Sequence, residues 1–103
     1  MKYIIKFTDD ALLDINRVYD EVFKACLDSP TTKDYVNGLL DKLELISDFP
    51  ESGTPISFGA RQSDFRYIIY KSYMAFYHLQ SGTIIIDRIL YAKSDYLVAL
   101  GVK

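Results

Sequence analysis

Two arginines interrupt apolar strand-like runs in the C-terminal half of this chain. Arg66 opens RYIIYKSY and Arg88 follows IIID. A guanidinium in such a setting is either paired with a carboxylate or presented on an open face. Asp64 and Asp87 are the carboxylates at hand. Six of the nine tyrosines, at 67, 70, 73, 77, 91 and 96, crowd the same half. Their rings could stack on nucleobases, but packing at the edge of a core accounts for them more simply. The chain has one histidine, His78, and one cysteine, Cys26. A zinc site needs several such ligands, so none is expected. There is no glycine-rich phosphate loop and no nucleophile elbow. His78 stands in a strand beside Phe76 and Leu79 and reads as a packed residue, with a general-base role as the alternative. Cys26 lies on an apolar helical stripe and reads as a small core residue. Alone it cannot form an internal disulfide, which suits a reducing cytosol.

The elements that must position these residues centre on FRYIIYKSYMAFYHLQSGTIIIDRILY, from Phe65 to Tyr91. Three runs rich in Ile, Tyr and Phe suit a pleated surface. They are separated only by Lys71-Ser72 and by Gln80-Ser81-Gly82. Breaks this short allow only hairpins, so the runs should form an antiparallel meander, with Gly82 serving a three-residue loop. Upstream, Tyr3 to Phe7 reads as a short strand that must join the same sheet. Thr8 then caps a helix whose first turn carries Asp9 and Asp10, with Phe7 and Leu12 placed for a hydrophobic staple. Leu12, Ile15, Val18, Tyr19, Val22, Phe23 and Cys26 give a stripe of about five turns. Asp14, Arg17, Asp20, Glu21 and Lys24 fall off it and read as a solvated face. Ser29 is expected to cap a second helix with Pro30 at its first position. That helix carries the stripe Tyr35, Val36, Leu39, Leu40, Leu43 and Ile46 and ends at Phe49-Pro50. Gly38 inside it costs roughly 1 kcal/mol against alanine, and a close helix–helix approach is one reason for it. The short break between the helices implies an antiparallel hairpin able to cover one sheet face, leaving the other open. Residues 50–64 read as a loop, and Ala92 to Leu100 as a short terminal helix or coil. The fold class is α+β, in the order β-α-α-β-β-β.

The chain has 103 residues, which fits a single domain over 1–103. No apolar run approaches the ~20 residues of a transmembrane span, so no membrane partner is expected. MKYIIKFTDDALLD carries acids where a signal peptide is apolar, so it reads as mature protein. The net charge is −2 and uneven. Residues 1–48 hold six Lys/Arg against ten Asp/Glu, and residues 49–103 hold six against four. A mildly basic sheet half is far from the dense stripe of a committed nucleic-acid binder.

KYIIKFTDDALLDI, SPTTKDYVNGLLDKL, FPESG and RYIIYKSYMAFYHLQSGTIIIDRILYAKSDY, in this order and spacing, resemble the RelE/ParE superfamily of bacterial toxins, closer to the ParE-like branch. The resemblance covers nearly the whole chain. It implies a cytoplasmic toxin used in plasmid stabilisation or growth arrest, encoded with a labile antitoxin as its protein partner. No cofactor or metal is expected, and the resemblance leaves open a homodimer or a toxin–antitoxin hetero-oligomer. RelE-like members cleave messenger RNA on the ribosome; ParE-like members poison DNA gyrase. Cleaving members carry a Tyr-Arg-x-x-Tyr pattern on the middle strand. Here the segment is Tyr73-Met74-Ala75-Phe76-Tyr77, so Met74 replaces the arginine. Their closing His-Gly-Arg-Arg-Asp is Tyr91-Ala92-Lys93-Ser94-Asp95 here. Metal-free cleavage needs a base, a cation on the phosphate and an acid. Arg88, Tyr91, Lys93 and Tyr96 are the catalytic candidates for that alternative. These departures favour gyrase inhibition by protein–protein binding, with Arg66, Arg88, Tyr91, Lys93 and Tyr96 as target-binding residues. Arg88→Leu is expected to abolish growth inhibition while melting within a few degrees of the parent, as an exposed charge contributes little stability.

Overall fold

Alternation along strands and three-four spacing along helices sort the apolar residues onto facing surfaces. The computed structural model describes residues 3–58 and 61–92. Its elements run β1 (Ile4–Phe7), α1 (Asp9–Cys26), α2 (Ser29–Asp48), β2 (Thr54–Phe58), β3 (Arg61–Tyr70), β4 (Tyr73–Gln80) and β5 (Thr83–Tyr91). The strands form one mixed sheet in the order β1-β5-β4-β3-β2. β3, β4 and β5 make the antiparallel meander expected of the three apolar runs. β1 lies parallel to β5, from Ile4 opposite Thr83 to Phe7 opposite Ile86. A parallel neighbour requires a crossover, and the helical hairpin contributes to it. The α+β class therefore holds.

The segment read as a loop contains a strand. Thr54–Phe58 pairs antiparallel with β3, which begins at Arg61 rather than Phe65. The prolines and glycines there looked like loop punctuation, but β2 is an edge strand, where proline's missing N–H is tolerated. Pro55 sits beside a register shift between Pro55 and Ser57. The β4–β5 turn is also tighter than the sequence suggested. Gln80 pairs with Thr83, leaving only Ser81 (φ 51°) and Gly82 (φ 77°) in the loop. Two consecutive residues with positive φ are the mark of a two-residue primed turn, whose twist matches the flanking strands.

Helix ends follow local acceptors. The Thr8 hydroxyl accepts from the Ala11 amide at 3.0 Å and caps α1 as expected. α2 is capped by Asp28, not Ser29. The Asp28 carboxylate accepts from the Thr31 amide at 2.9 Å, Ser29 becomes the first helical residue and Pro30 the second. Both oxygen types cap well, and the carboxylate adds negative charge at the positive end of the helix dipole. Gly38 does face a close approach, but from the sheet: a Cβ there would overlap the Tyr70 hydroxyl.

The main core lies between the helices and the sheet. Val18 of α1, with Leu39, Leu43 and Ile46 of α2, meets Ala75, Tyr77, Ile84, Ile86 and Ile89. Each fully buried aliphatic side chain of this kind contributes about 1.5–3 kcal/mol. The far face of the sheet carries a second cluster, with Ile56, Met74, Phe76 and Leu90 all buried. The expectation that this second face is open is thus corrected: its centre is apolar and inaccessible. The stripe of α1 is rotated from the one read in the sequence. Ala11, Asp14 and Val18 are buried, whereas Leu12 is 50% exposed and Cys26 is exposed. Leu12 therefore does not close a buried staple with Phe7. Cys26 lies in the last turn of α1, its Sγ 3.3 Å from the Thr32 hydroxyl, outside the core. Native protein is expected to take up one equivalent of an aromatic disulfide reagent without denaturant. Reaction only after unfolding would contradict this placement.

Candidate interaction surface

β1 ends at Phe7, so the outer edge of β5 continues past Ile86 with no strand beside it among the described residues. Its backbone groups need partners, since an unpaired buried amide or carbonyl is costly. α1 and its cap supply them. The Thr8 amide donates to the Ile86 carbonyl (3.1 Å) and the Thr8 hydroxyl to the Asp87 carbonyl (2.9 Å). The Ile89 amide donates to Asp14 Oδ2 (2.9 Å), and Arg17 Nη2 to the Ile89 carbonyl (2.7 Å).

Asp14 is the centre of this seam. Its side chain is 5% exposed. Arg88 reaches it twice, Nε to Oδ2 at 2.7 Å and Nη2 to Oδ1 at 3.1 Å, while Arg17 Nη2 reaches Oδ1 at 3.1 Å. Burial alone would raise the carboxyl's pKa, but the donors from Arg88, Ile89 and Arg17 together outweigh it and lower the value. The hydrogen bond to Asp14 correspondingly raises the pKa of Arg88. The seam extends along α1. Arg17 Nη1 donates to Glu21 Oε1 at 3.4 Å, and the Tyr73 hydroxyl donates to the same oxygen at 2.8 Å.

Arg88 therefore pairs with Asp14, 74 residues away in sequence, not with Asp87. It is tied to a buried carboxylate, so the expectation that Arg88→Leu melts within a few degrees is replaced by a clear loss of stability. In the sequence Asp14, Arg17 and Glu21 look like a solvated face, and the structure corrects this. The overlooked signal is that Asp14 stands three residues after Ala11 and four before Val18, in register with the two buried positions.

Arg66 has a different assignment. Its Nη1 donates to the carbonyls of Glu51 (3.2 Å) and Gly53 (2.9 Å), clamping the turn that leads into β2. Among the described ion pairs there is none between Arg66 and Asp64. Beside it, the fully buried Tyr77 donates its hydroxyl to the Pro50 carbonyl and accepts from the Gly53 amide, both at 2.9 Å. Arg66 and Arg88 do not converge: one binds the 51–53 turn and the other reaches α1.

Tyr91 ends β5, 43% exposed, edge-on to Tyr73 at 5.9 Å. With Tyr35, Tyr73, Glu21 and Cys26 it lines a groove of about 640 Å³ between the helix turn and the β3–β4 hairpin. Lys71 covers the rings of Tyr35 (4.9 Å) and Tyr70 (5.5 Å). Lys93 and Tyr96 lie outside the described residues. Burial raises the phenol pKa of Tyr73, with the bond to Glu21 adding to it, and raises those of Tyr70 and Tyr77. These three phenols stay protonated near neutral pH. His78 Nδ1 lies 2.7 Å from Asp87 Oδ2, with Phe65 edge-on to the ring. Burial raises the pKa of Asp87, and the bond from His78 offsets part of that rise. Among the described residues no group of three or more His, Cys, Asp or Glu could hold a metal ion, and no helix is long and apolar enough to cross a membrane.

The fold has solved counterparts. The chain is similar to a chain of the chromosomal ParDE toxin–antitoxin system from P. aeruginosa, at 15% identity and TM-score 0.72, over 89% of this chain and 98% of that one. It is also similar to a chain of the toxin–antitoxin complex RelBE2 from Mycobacterium tuberculosis, at 14% identity and TM-score 0.56, over 88% and 99%. No curated protein matches the sequence. The family described as the ParE toxin of the type II toxin–antitoxin system, parDE, matches residues 5–96. With the helical hairpin, the meander and all but the first residue of β1 inside that match, the chain belongs to the ParE toxin family of type II toxin–antitoxin systems.

Proposed function

We propose that this toxin is held in check by a cognate antitoxin and arrests growth by binding DNA gyrase, protein to protein. The observation that carries the reading is the commitment of two strand arginines, Arg66 and Arg88, to the protein itself. Arg88 is bound to Asp14 and Arg66 to backbone carbonyls. Met74, where RNA-cleaving relatives hold an arginine, is 7% exposed in the far-face cluster. A thioether cannot neutralise a phosphorane, and losing one electrostatic contact of that kind typically costs about 10²–10³ in rate. Binding a protein target needs aromatic and arginine anchors instead, for which Tyr91, Lys93 and Tyr96 are proposed together with any part of Arg66 and Arg88 left accessible. The antitoxin reading draws on both solved relatives, which come from toxin–antitoxin systems.

An mRNA endonuclease is the second reading. It is favoured by the His78–Asp87 pair, because a carboxylate that orients an imidazole is how a general base is held. Inducible expression in a bacterium, with and without the small protein of the adjoining reading frame, separates the readings. The proposal expects growth arrest with a DNA-damage response and intact transcripts, relieved by the neighbour. Arrest with cleaved transcripts and no damage response would favour the endonuclease, and unaffected growth would defeat both.

A further inference from the structure

β2 pairs with β3 only as far as Thr54 opposite Tyr67. β3 continues for three residues, Ile68, Ile69 and Tyr70, paired with Ala75, Met74 and Tyr73 of β4 on its inner side. On its outer side these residues have no strand partner among the described residues. In an antiparallel ladder successive residues turn their N–H and C=O alternately to the two neighbours. Tyr70 and Tyr73 close the two-residue hairpin, so Ile69 presents its backbone outward.

The edge of β2 is blunted by Pro55 and a register shift, the usual protections of an exposed strand. Ile68-Ile69-Tyr70 has neither. Beside it runs a groove of about 510 Å³ lined by Leu45, Phe49, Thr54, Tyr67 and Ile69. Leu45 is 60%, Phe49 69% and Ile69 54% exposed. Single exposed apolar residues are ordinary, but three around one groove beside an open edge are not. Lys42 lines the groove, and Asp41, Glu44 and Asp48 flank it on the same segment of α2, leaving that rim net acidic. Asp41 lies close enough to act on the Tyr70 phenol, whose pKa is raised first by burial and then by that charge. Across residues 9–48 there are ten acids against four bases.

We infer that the edge Ile68–Tyr70 takes up one extended partner segment as an added strand, its apolar side chains in the Leu45–Phe49 groove and its lysines or arginines on the acidic α2 rim. The inference rests on the antitoxin reading, the segment belonging to the antitoxin. An extended chain satisfies the outward Ile69 backbone and continues the β2 ladder past Tyr67, and its alternate residues face the groove. A second copy of this chain fits less well, because two acidic α2 walls would meet.

The test uses the full chain and the protein of the adjoining reading frame. Amide hydrogen exchange at Ile69 is followed with and without that protein, and affinities are measured for Leu45→Lys, Phe49→Ser and Ile69→Pro. Leu45 and Phe49 are exposed, so the first two variants keep the parent fold, which a melting curve checks. Ile69 exchange is expected to slow by about tenfold or more on binding, and Leu45→Lys to weaken binding by about tenfold or more. Added salt should weaken binding further. If the neighbour binds while Ile69 exchanges as in the free chain and the variants bind normally, strand addition is wrong and the antitoxin reading stands. If the neighbour does not bind at all, both fall. Protection of Ile69 that appears on raising the concentration of the chain alone would assign the edge to a second copy and overturn the inference.

Discussion

Asp14→Ala is expected to lower the unfolding free energy by about 3–5 kcal/mol, the usual cost of breaking a buried ion pair by removing one partner. The loss is large because several groups are orphaned at once. Arg88 loses two charge-assisted hydrogen bonds, Arg17 loses one, and the Ile89 amide is left without an acceptor at the edge of β5. At about 4–8 °C per kcal/mol for a domain near this size, the melting temperature should fall by about 12 °C or more. Arg88→Leu should also destabilise, by a smaller amount, because Arg17 and the Ile89 amide still hold the carboxylate. The pH dependence has a definite sign. An Asp carboxyl titrates near about 3.9 in an unfolded chain, and the native Asp14 pKa is lowered. Below the unfolded value the unfolded chain takes up the proton first, so stability falls with pH. The contribution of Asp14 is complete above the unfolded value and is lost as pH falls through the native one. Chemical denaturation at neutral and acid pH checks this: the gap between parent and Asp14→Ala should narrow in acid. A gap under about 1 kcal/mol at neutral pH, the scale of a surface pair, would show that Asp14 does not hold the seam.

Gly53→Ala is the second large effect. An added Cβ would overlap the Tyr77 hydroxyl and come 2.7 Å from Cε1 and 2.9 Å from Cζ of the same ring. Tyr77 is fully buried, so the ring has no free direction in which to retreat. Overpacking of this kind costs about 1–3 kcal/mol. Displacing the hydroxyl also strains its bonds to Pro50 and Gly53, each worth about 1 kcal/mol. A total near 3 kcal/mol is expected. Gly82→Ala is the control: nothing lies within 4 Å of its added Cβ, and only the φ of +77° penalises it, by about 1–2 kcal/mol. Equal losses at the two glycines would mean that the close approach at Gly53 is not what keeps it a glycine.

Element order and the meander were legible because continuous runs rich in Ile, Tyr and Phe are split by breaks too short for anything but hairpins, and because α2 carries a three-four stripe. β2 was hidden because Pro55 and Gly53 imitate loop punctuation, and only the place of the strand at the sheet edge makes the proline tolerable. The Asp14 seam was hidden for a different reason. Charge on a helix usually marks the solvated side, and nothing local reveals that β5 outruns β1 and needs a carboxylate to meet its amide. The partners of Arg88 and Arg66 come from distant segments, α1 and the turn before β2. Neighbouring aspartates in sequence therefore pointed to the wrong ion pairs. Cys26 shows the same limit on a smaller scale, where a rotation of the α1 stripe puts an apolar-looking position in solvent.

A toxin whose Arg66 and Arg88 are bound to its own carbonyls and carboxylate is expected to act on a protein target rather than on RNA phosphates. The direct measurement runs two assays on the same purified chain. One incubates it with gyrase and plasmid and scores supercoiling and trapped cleaved DNA. The other adds it to a reconstituted translation reaction and maps messenger ends. Gyrase inhibition that the adjoining-frame protein reverses, with messenger left intact, is the expected result. Codon-specific cuts at the ribosomal A site with gyrase unaffected would contradict it.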